Sequence, residues 1–420
     1  MNYLIIGNSA AAVGAVEAIR KKDKKGEITI LSKEPYLAYS RPLITEFLAD
    51  LVTEKGMSYR AEDFYKDNSV SLKLGVSAKS IDAKKKIVSA SDKKEYPYDK
   101  LLIATGGSPI IPPMKGMNKN GIFLLRDLDV SKDIKKNLKG AKRVVVIGGG
   151  LIGMKTAEGL YEAGLKVTVV ELADRILNRI LDEKGSRIFE DYLKDKGMNI
   201  ITSDSVVEIT GTKKATGVKL KSKKKISCDL LIIAVGVRPN LEVIKGTGIE
   251  AKQGIIVDNK MQTNIADIYA AGDVVQADDM LTGEKRVNAI WPLAYKQGRI
   301  AGTNMAGGNK TYEGGFAQNS LTVLGLSTIS MGIVDPPSKN SYEVITGSGK
   351  GKYSYKKFVF DKDTVIGGIF IEDIDRSGII TGLVKERYKV KENKERFLSE
   401  KFGLINLDRQ WRDTKLTKPV

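Results

Sequence analysis

Two segments of the chain show the same succession of apolar runs and small-residue stretches. In residues 2–31 an apolar run precedes a glycine turn, an alanine-rich stretch and a second apolar run, and residues 143–171 repeat this order. β-Branched apolar runs of about five residues are typical of strands that are buried on both faces. The pattern therefore predicts two strand–helix–strand units in parallel sheets.

A second pair of similar segments follows these units. "YDKLLIATGGSP" at 98–109 and "CDLLIIAVGVRP" at 228–239 each contain an aspartate, an apolar strand, a glycine and a proline. Two matched pairs in the same order indicate an internal repeat. We therefore predict two nucleotide-binding domains of similar design.

The remaining segments differ from this design. Residues 71–90 alternate between apolar and polar positions, which predicts a small antiparallel sheet, and 254–263 is predicted to be its later counterpart. From about Phe316 the alternation predicts antiparallel hairpins, and 381–402 is predicted to be helical. The predicted fold class is α/β, with two Rossmann-like dinucleotide-binding domains and a C-terminal α+β domain that ends in a helical tail.

The charge of the chain bears on its partners. It carries 69 Lys and Arg against 51 Asp and Glu, a formal net charge of +18, which favours an acidic partner. The lysines occur in short scattered runs without interleaved aromatic residues, so a solvated surface is an equal reading, and we expect no nucleic-acid partner. Without a long apolar run or signal-peptide features, we expect a cytoplasmic protein with no membrane partner.

Two residue types restrict the chemistry. The chain has one cysteine and no histidine. These counts exclude an internal disulfide, a four-cysteine cluster site and histidine-based triads within this chain, and we expect no metal site. A bound organic cofactor is therefore favoured over acid–base hydrolytic chemistry.

The second unit contains a complete dinucleotide fingerprint. Gly148, Gly150 and Gly153 have the G-x-G-x-x-G spacing after a predicted strand, and Leu151 and Ile152 begin the predicted helix. Such a turn lets the backbone and the helix N-terminus approach a pyrophosphate. The alternative is a glycine turn without a ligand.

The next strand of this unit ends at Glu171. A carboxylate at this place is suited to bind the adenosine ribose hydroxyls of NAD(H) and to repel a 2′-phosphate. We therefore predict a preference for NADH over NADPH.

The first unit has a relaxed version of the fingerprint. Gly7, Ser9 and Ala12 stand at the three glycine positions, and Ala10 and Ala11 begin the helix. Glu34 is the nearest carboxylate after the second strand, and we predict that it binds a ribose. The alternative is a surface glutamate before Pro35.

Several motifs in this order resemble the FAD- and NAD(P)-dependent pyridine nucleotide–disulfide oxidoreductase superfamily, in particular its rubredoxin and ferredoxin reductase and NADH oxidase branches. The resemblance covers roughly residues 1 to 330. The motifs are Gly7-x-Ser9, "ATGGSP" (104–109), "GGGLIG" (148–153), "AVGVRPN" (234–240), "YAAGDV" (269–274) and "WPLAYKQGRIAGTNMAG" (291–307).

The resemblance implies a domain plan. An FAD-binding domain would comprise 1–115 and 245–315, an NAD-binding domain 116–244, and a C-terminal interface domain 316–420, with a homodimer as one arrangement. It also implies that Gly236 lies near the nicotinamide. The residues implied to contact FAD are Gly7, Ser9, Ala10, Ala11, Glu34, Arg41, Pro42, Ala78, Ala104, Thr105, Gly106, Arg126, Gly272, Asp273, Trp291 and Pro292.

Two of these residues have a second reading. Asp273 would bind the ribityl–phosphate part of FAD by resemblance, but such a carboxylate also suits the N-cap of a following helix. Trp291 would lie near the flavin ring, but a tryptophan is equally suited to the core or to an interface.

A reversed charge pair distinguishes this chain from its look-alikes. Ferredoxin reductase relatives place a lysine near the flavin and pair it with a glutamate after the NAD fingerprint. Here Glu46 and Lys155 stand at these two places with the charges exchanged. We predict that Glu46 and Lys155 form the catalytic ion pair that gates nicotinamide stacking. The alternative is two unrelated solvated helix residues.

The segment "AYSRPLITEF" (38–47) lacks the redox-active cysteine that many flavin reductases carry there. The one cysteine, Cys228, lies at the edge of an apolar strand, and we predict a structural role for it. Electrons would then leave the flavin directly to another molecule.

The predicted function is that of an FAD-dependent NADH:acceptor oxidoreductase. The acceptor would be an acidic iron–sulfur protein such as rubredoxin or ferredoxin, or an iron–sulfur partner subunit of a larger complex. The alternatives are an NADH oxidase that reduces dioxygen and a non-catalytic flavin redox sensor.

Overall fold

The computed structural model describes residues 1–336, 341–390 and 393–416. The chain divides into two compact units. The first comprises 1–110, 126–131 and 237–315, and the second comprises 111–125, 132–236 and 316–420. The helix Leu128–Leu138 begins in the first unit and ends in the second. In the described part of the chain, no helix combines the length and the apolar character that crossing a membrane requires.

The first unit is built on a five-stranded parallel sheet. Its central strands are buried on both faces, because helices cover parallel sheets on each side. In spatial order the strands are Ile268–Ala270, Lys100–Ile103, Asn2–Ile6, Glu27–Ser32 and Val70–Leu74.

Two helices of this unit pack with their backbones in close contact. The helices Ala10–Lys22 and Trp291–Met305 meet where small residues face each other, since a Cβ added to Gly298 would lie 2.0 Å from the carbonyl oxygen of Ala11. The remaining helical segments of the unit are Arg41–Leu43, Ile44–Leu48, Lys55–Met57, Phe64–Asp67 and Glu242–Ile244.

Three smaller sheets complete the first unit. The antiparallel sheet predicted for 71–90 is confirmed only from Ala78 onwards, where it has three strands, because Val70–Leu74 pairs in the parallel sheet instead. The strands of the smaller sheets are Ala78–Asp82, Ile87–Ala90 and Glu95–Pro97; Gly107–Pro109 with Val237–Pro239; and Ile255–Ile256, Val275–Asp278 and Lys285–Arg286.

The second unit repeats the parallel sheet. Its central strands are again buried, and the helices Leu151–Glu162 and Glu183–Asp195 belong to it. In spatial order the strands are Asn199–Ile201, Lys166–Val170, Arg143–Ile147, Leu230–Ile233 and Ile122–Leu124.

The prediction for 254–263 was wrong. Ile255–Ile256 pairs in parallel with Val275–Asp278, whereas the antiparallel counterpart of the first excursion is formed in the second unit by Val206–Thr210, Gly217–Leu220 and Lys225–Ser227. The short apolar run of 254–263 follows the parallel pairing of its own unit, which periodicity alone does not reveal.

The C-terminal residues form the five-stranded antiparallel sheet that the alternating pattern predicts. Its first hairpin turns at Leu324 and Gly325, whose φ angles of 49° and 92° are those of a tight two-residue turn. In spatial order the strands are Gln318–Val323, Leu326–Gly332, Thr364–Ile371, Tyr355–Asp361 and Glu343–Gly347. The helical segments after it are Ser377–Lys385, Lys394–Leu398, Leu404–Asn406 and Arg409–Leu416.

The prediction of a continuous helix over 381–402 was wrong after Lys385: residues 386–390 are not helical, Lys394–Leu398 forms only a short 3-10 helix, and 391–392 lie outside the described residues. Arg387 has a φ of 51°, which ends the helix, and Val390 donates a backbone hydrogen bond to Asp363 at 2.7 Å. Tyr388 and Val390 are buried at alternate positions. This segment is extended and buries every second side chain, so it is stabilised as a strand-like segment and not as a helix.

The internal repeat is confirmed in detail by two aspartates. Asp99 accepts a hydrogen bond from the backbone nitrogen of Asn2 at 2.6 Å, and Asp229 accepts one from that of Arg143 at 2.9 Å. Each aspartate therefore fixes the start of the first strand of its own unit. Acceptance from the backbone nitrogens of Lys142 and Arg143, opposed by burial, lowers the pKa of Asp229.

Candidate functional site

The candidate FAD site lies at the carboxyl ends of the parallel strands in the first unit. Gly7 follows the strand Asn2–Ile6, and a Cβ added to it would lie 2.2 Å from the carbonyl oxygen of Ala104. Its φ of 111° is also one that residues with side chains rarely adopt. The glycine therefore permits the close contact between two strand ends that opens the nucleotide-binding edge.

The helix after this turn begins at the same edge. Ser9 is its N-cap with extended backbone, and among the described residues its side chain makes no capping hydrogen bond. Ala10 and Ala11 are buried in the first turn. Backbone N–H groups at a helix N-terminus are suited to bind phosphate oxygens. The relaxed fingerprint thus has the geometry that a pyrophosphate requires.

A chain of polar contacts connects four of the predicted FAD residues. Arg41 forms an ion pair with Glu34 and donates from Nη1 to the carbonyl oxygen of Arg126 at 3.0 Å. Arg126 in turn forms an ion pair with Asp273, 3.3 Å from Nη2 to Oδ2. Each of these side chains is between 20% and 23% exposed. The tertiary structure therefore brings together residues from three separate sequence segments.

Tyr39 was not predicted, yet it supports this chain. Its hydroxyl donates to Glu34 at 2.6 Å and accepts from the backbone nitrogen of Leu128 at 3.1 Å. Burial raises the pKa of Tyr39, so the phenol keeps its proton and can donate. Glu34 is thus a fixed, partly buried residue rather than a simple surface glutamate.

The N-cap alternative for Asp273 was wrong. The residues after Asp273 form the strand Val275–Asp278, and the next helix begins at Trp291. Gly272 has a φ of 86°, and its nitrogen donates to Gln297 Oε1 at 2.9 Å. The carboxylate of Asp273 is therefore oriented by Arg126 and not by a helix start.

The other predicted FAD residues occupy mixed environments. Trp291 is partly buried, packs against the core and meets the ring of Tyr59 edge-on at 5.0 Å. Pro292 is exposed and Pro42 lies in the short helix Arg41–Leu43. Ala78 pairs with Ala90 in the small antiparallel sheet and packs against the core.

Thr105 and Gly106 form hydrogen bonds with Asn240, which directly follows the repeated segment 228–239. The Thr105 hydroxyl donates to the carbonyl oxygen of Asn240 at 2.9 Å, and Asn240 Nδ2 donates to the Thr105 carbonyl at 2.8 Å. The strands Gly107–Pro109 and Val237–Pro239 pair beside this contact. Asn240 was not singled out, although it ends the motif "AVGVRPN" that supports the resemblance.

The candidate NAD site in the second unit has the full glycine geometry. Gly148 has a φ of 106° and a Cβ on it would lie 2.5 Å from the carbonyl oxygen of Ala234. A Cβ on Gly153 would lie 1.8 Å from the carbonyl oxygen of Gly148, while one on Gly150 would have no atom of the described residues within 4 Å. The first and third positions need glycine because a Cβ at either would collide with the backbone of the protein. The second faces open space that fits a pyrophosphate.

Glu171 lies beside this turn at the end of the next strand. Its carboxylate accepts hydrogen bonds from the backbone nitrogens of Gly149 at 2.5 Å and Ala173 at 2.8 Å. A carboxylate can accept about four hydrogen bonds, so both oxygens retain capacity for ribose hydroxyls. The helix that follows the turn begins at Leu151, and Ile152 is partly exposed in its first turn.

The two predicted catalytic residues lie in helices, and Gly236 lies just after a strand. Glu46 is in the short helix Ile44–Leu48 of the first unit and accepts from the Thr45 hydroxyl at 2.8 Å. Lys155 is in the helix Leu151–Glu162 of the second unit and forms an ion pair with Glu158. Gly236, with a φ of 124°, follows the strand Leu230–Ile233. Glu158 was not predicted; its position three residues after Lys155 is the signal that could have found it.

Two known protein families together match most of the chain. Residues 1–298 match the pyridine nucleotide-disulphide oxidoreductase family, and residues 318–388 match the C-terminal domain of rubredoxin NAD+ reductase. The predicted fold class and the use of FAD and NAD(H) are thereby confirmed, as is an enzyme that transfers electrons between NAD(H) and an acceptor. The domain boundaries and the roles of single residues stay predictions.

Individual proteins show the same likeness. Subunit epsilon of the NADH-dependent phenylglyoxylate dehydrogenase of Aromatoleum evansii is 33% identical over 415 residues, 98% of each chain. An NADH oxidase of Methanocaldococcus jannaschii is 35% identical over 73% of this chain and 70% of its own length. The crystal structure of NADH:rubredoxin oxidoreductase from Clostridium acetobutylicum has a TM-score of 0.76 and 27% identity, over 94% of this chain and 98% of that one. The chain belongs to the pyridine nucleotide-disulphide oxidoreductase family.

Proposed function

We propose that this chain passes electrons between NAD(H) and an iron–sulfur partner through FAD. In the first unit, Gly7 lets two strand ends approach closely at the edge where FAD would bind, and in the second unit the turn leaves open space at Gly150 for NAD(H). Both arrangements are formed by the backbone of this chain. Bound at the first site, FAD would supply the chemistry that links the two-electron donor NADH to one-electron iron–sulfur centres.

The observation that carries the proposal is the state of the only cysteine. Cys228 is 1% exposed and lies in the core of the second unit with Val145 and Leu231. Burial, with the nearby Asp229 carboxylate, raises the pKa of its thiol to about 11. A buried thiol that stays protonated is a poor nucleophile. The chain therefore has no thiol suited to relay electrons, and the acceptor must be another molecule.

Two kinds of iron–sulfur partner fit this conclusion, and one is favoured. The relative from Aromatoleum evansii is a subunit of a complex, and it matches this chain over 98% of both lengths. The NADH oxidase matches 73% of this chain. Likeness over the whole length supports an iron–sulfur partner subunit, with a separate acidic carrier as the second arrangement. The net charge of +18 supports an acidic partner in either case.

We also propose roles for the predicted pair at the flavin. Glu46 and Lys155 would form the ion pair that gates the nicotinamide, because an exchanged pair keeps both charges compensated. Glu171 would select NADH by binding the ribose hydroxyls. A homodimer and a cytoplasmic location complete the proposal.

The experiment uses the purified, flavin-loaded protein under anaerobic conditions. NADH should reduce the flavin, and reduced rubredoxin or ferredoxin should then form at a rate that falls at least about tenfold between roughly 50 and 300 mM salt. A rate independent of salt contradicts the acidic partner.

The same preparation separates the alternatives. Rapid NADH turnover that needs only dioxygen would establish the oxidase instead. Slow oxidation of the reduced flavin by every acceptor, including dioxygen, would establish the sensor. Gentle purification from the native source, followed by identification of co-purifying proteins, distinguishes a partner subunit from a separate carrier.

A further inference from the structure

Glu158 connects the nucleotide-binding helix of the second unit to the C-terminal sheet of the same unit. It is 7% exposed in the helix Leu151–Glu162. One carboxylate oxygen, Oε2, forms an ion pair with Lys155, and the other, Oε1, accepts from the backbone nitrogen of Leu324 at 2.7 Å. A buried carboxylate is stable only when its oxygens are satisfied in this way.

Leu324 lies in the tight turn of the first C-terminal hairpin, which we call the hairpin tip (residues 322–326). Its φ of 49° is unfavourable for a leucine. Besides the contact with Glu158, its carbonyl oxygen accepts a hydrogen bond from the hydroxyl of Tyr192 in the helix Glu183–Asp195. Side chains of two helices thus fix the hairpin tip from both sides of one residue.

The hairpin tip also contacts Lys155 directly. Lys155 Nζ donates to the carbonyl oxygen of Thr322 at 3.4 Å in addition to its ion pair with Glu158. The ammonium group is thus bound both by its own helix and by the C-terminal sheet. Its position two residues after the last glycine of the fingerprint puts it on the helix that the nucleotide approaches.

We propose that Glu158 is the positioning residue of Lys155 and that the hairpin tip holds Glu158 in place. The inference rests on the proposed function, which puts Lys155 beside the nicotinamide. Through this contact the C-terminal sheet contributes to the nicotinamide site although none of its side chains needs to touch the nucleotide. The negative charge of Glu158 is the essential feature, since an amide could still accept from Leu324 but could not pair with an ammonium.

The test compares Glu158→Gln, Glu158→Asp, Lys155→Met and the double variant Glu158→Gln/Lys155→Met. Three quantities are measured: the rate of flavin reduction by saturating NADH, the affinity for NAD⁺ by calorimetry, and Tm. Glu158→Gln should slow reduction about tenfold while the NAD⁺ affinity changes less than about threefold, because orientation and not phosphate binding is lost. Glu158→Asp should recover part of the rate.

The double variant decides whether Glu158 acts through Lys155. It should reduce no more than about twofold slower than Lys155→Met alone, since effects that operate through one group are not additive. The matched control is Glu190→Gln. Glu190 is 8% exposed, accepts from the backbone nitrogen of Ile176 at 3.2 Å and lies 4.0 Å from Lys194. Its substitution should lower Tm similarly without slowing reduction.

Each contrary result has a distinct meaning. A slow Lys155→Met with a normal Glu158→Gln would overturn the positioning role alone. A normal Lys155→Met would overturn both that role and the proposed function of Lys155. If the slowing by Glu158→Gln and the slowing by Lys155→Met multiply in the double variant, Glu158 does not act through Lys155 and has a structural role only. If Glu158→Gln does not fold, Glu158→Asp in the wild-type and Lys155→Met backgrounds gives the same comparison.

Discussion

Arg126 and Asp273 form an ion pair with 3.3 Å between Nη2 and Oδ2, although they are 147 positions apart in the chain. Arg126 belongs to the short segment 126–131, which is part of the first unit. The residues on either side of this segment, 111–125 and 132–236, belong to the second unit. Asp273 follows the strand Ile268–Ala270. Their contact closes the candidate FAD site around residues that no local motif relates.

Arg126→Gln should weaken FAD retention about tenfold. The substitution leaves the Asp273 carboxylate without its cation, and a loss of roughly 1.4 kcal/mol corresponds to that factor. The measurement is the ratio of flavin to protein absorbance during serial dilution. Arg286→Gln, which removes an exposed ion pair with Glu284, is the control and should retain FAD normally. Equal retention by both variants would exclude Arg126 from the site.

Glu171→Ala should reduce the discrimination between NADH and NADPH. The carboxylate orders the glycine turn through Gly149 and is placed to repel a 2′-phosphate. We expect kcat/KM for NADH to fall about tenfold and the NADH to NADPH preference to narrow by at least that factor, measured with ferricyanide as acceptor. The exposed Glu183→Gln serves as control. An unchanged preference would assign Glu171 a structural role only.

Cys228 should be inert in the folded protein. Burial raises the pKa of its thiol to about 11, so little thiolate exists at pH 8 and access is limited. Iodoacetamide should modify Cys228 at least about a hundredfold more slowly in the folded protein than in urea. Mass spectrometry measures the rate of modification in both conditions. Cys228→Ala should leave flavin reduction by NADH and transfer to the acceptor unchanged. Loss of transfer alone would reveal a thiol relay and contradict the proposed route.

Asp267 should contribute stability that acid removes. It accepts hydrogen bonds from Lys100 at 2.5 Å and Lys86 at 2.6 Å, and these contacts lower its pKa. A lowered folded-state pKa means that the stabilisation is present above the unfolded value near 4 and is lost as the pH falls through the folded value.

Asp267→Asn should therefore lower the free energy of unfolding by about 1 kcal/mol at pH 7. The difference from the wild type should be smaller at pH 3 than at pH 7, because more of the Asp267 carboxylate is protonated at the lower pH, as urea denaturation at both pH values measures. Asp258→Asn provides an aspartate control in the same unit; no lysine ion pair of Asp258 occurs among the described contacts. An equal deficit for Asp267→Asn at both pH values would contradict a charge-dependent contribution.

The repeated units could be predicted from the sequence because each consists of elements that are adjacent along the chain. The strand Asn2–Ile6, the turn at Gly7 and the helix Ala10–Lys22 follow one another within one unit, as do their equivalents around Gly148. The helix predicted over 381–402 failed for the opposite reason. Val390 is buried by pairing beside Asp363, a contact that depends on a strand more than twenty residues away.

The sequence by itself determined the two nucleotide-binding units, the antiparallel C-terminal sheet and the absence of a second cysteine, because residue spacing and residue count need no long-range contact. Only the tertiary structure decided the partners of the charged groups. Arg126 with Asp273 and Glu158 with the backbone of Leu324 are distant in sequence. Partners of this kind follow from which strand ends and turns meet, and a buried charge accepts whichever group the fold brings within reach.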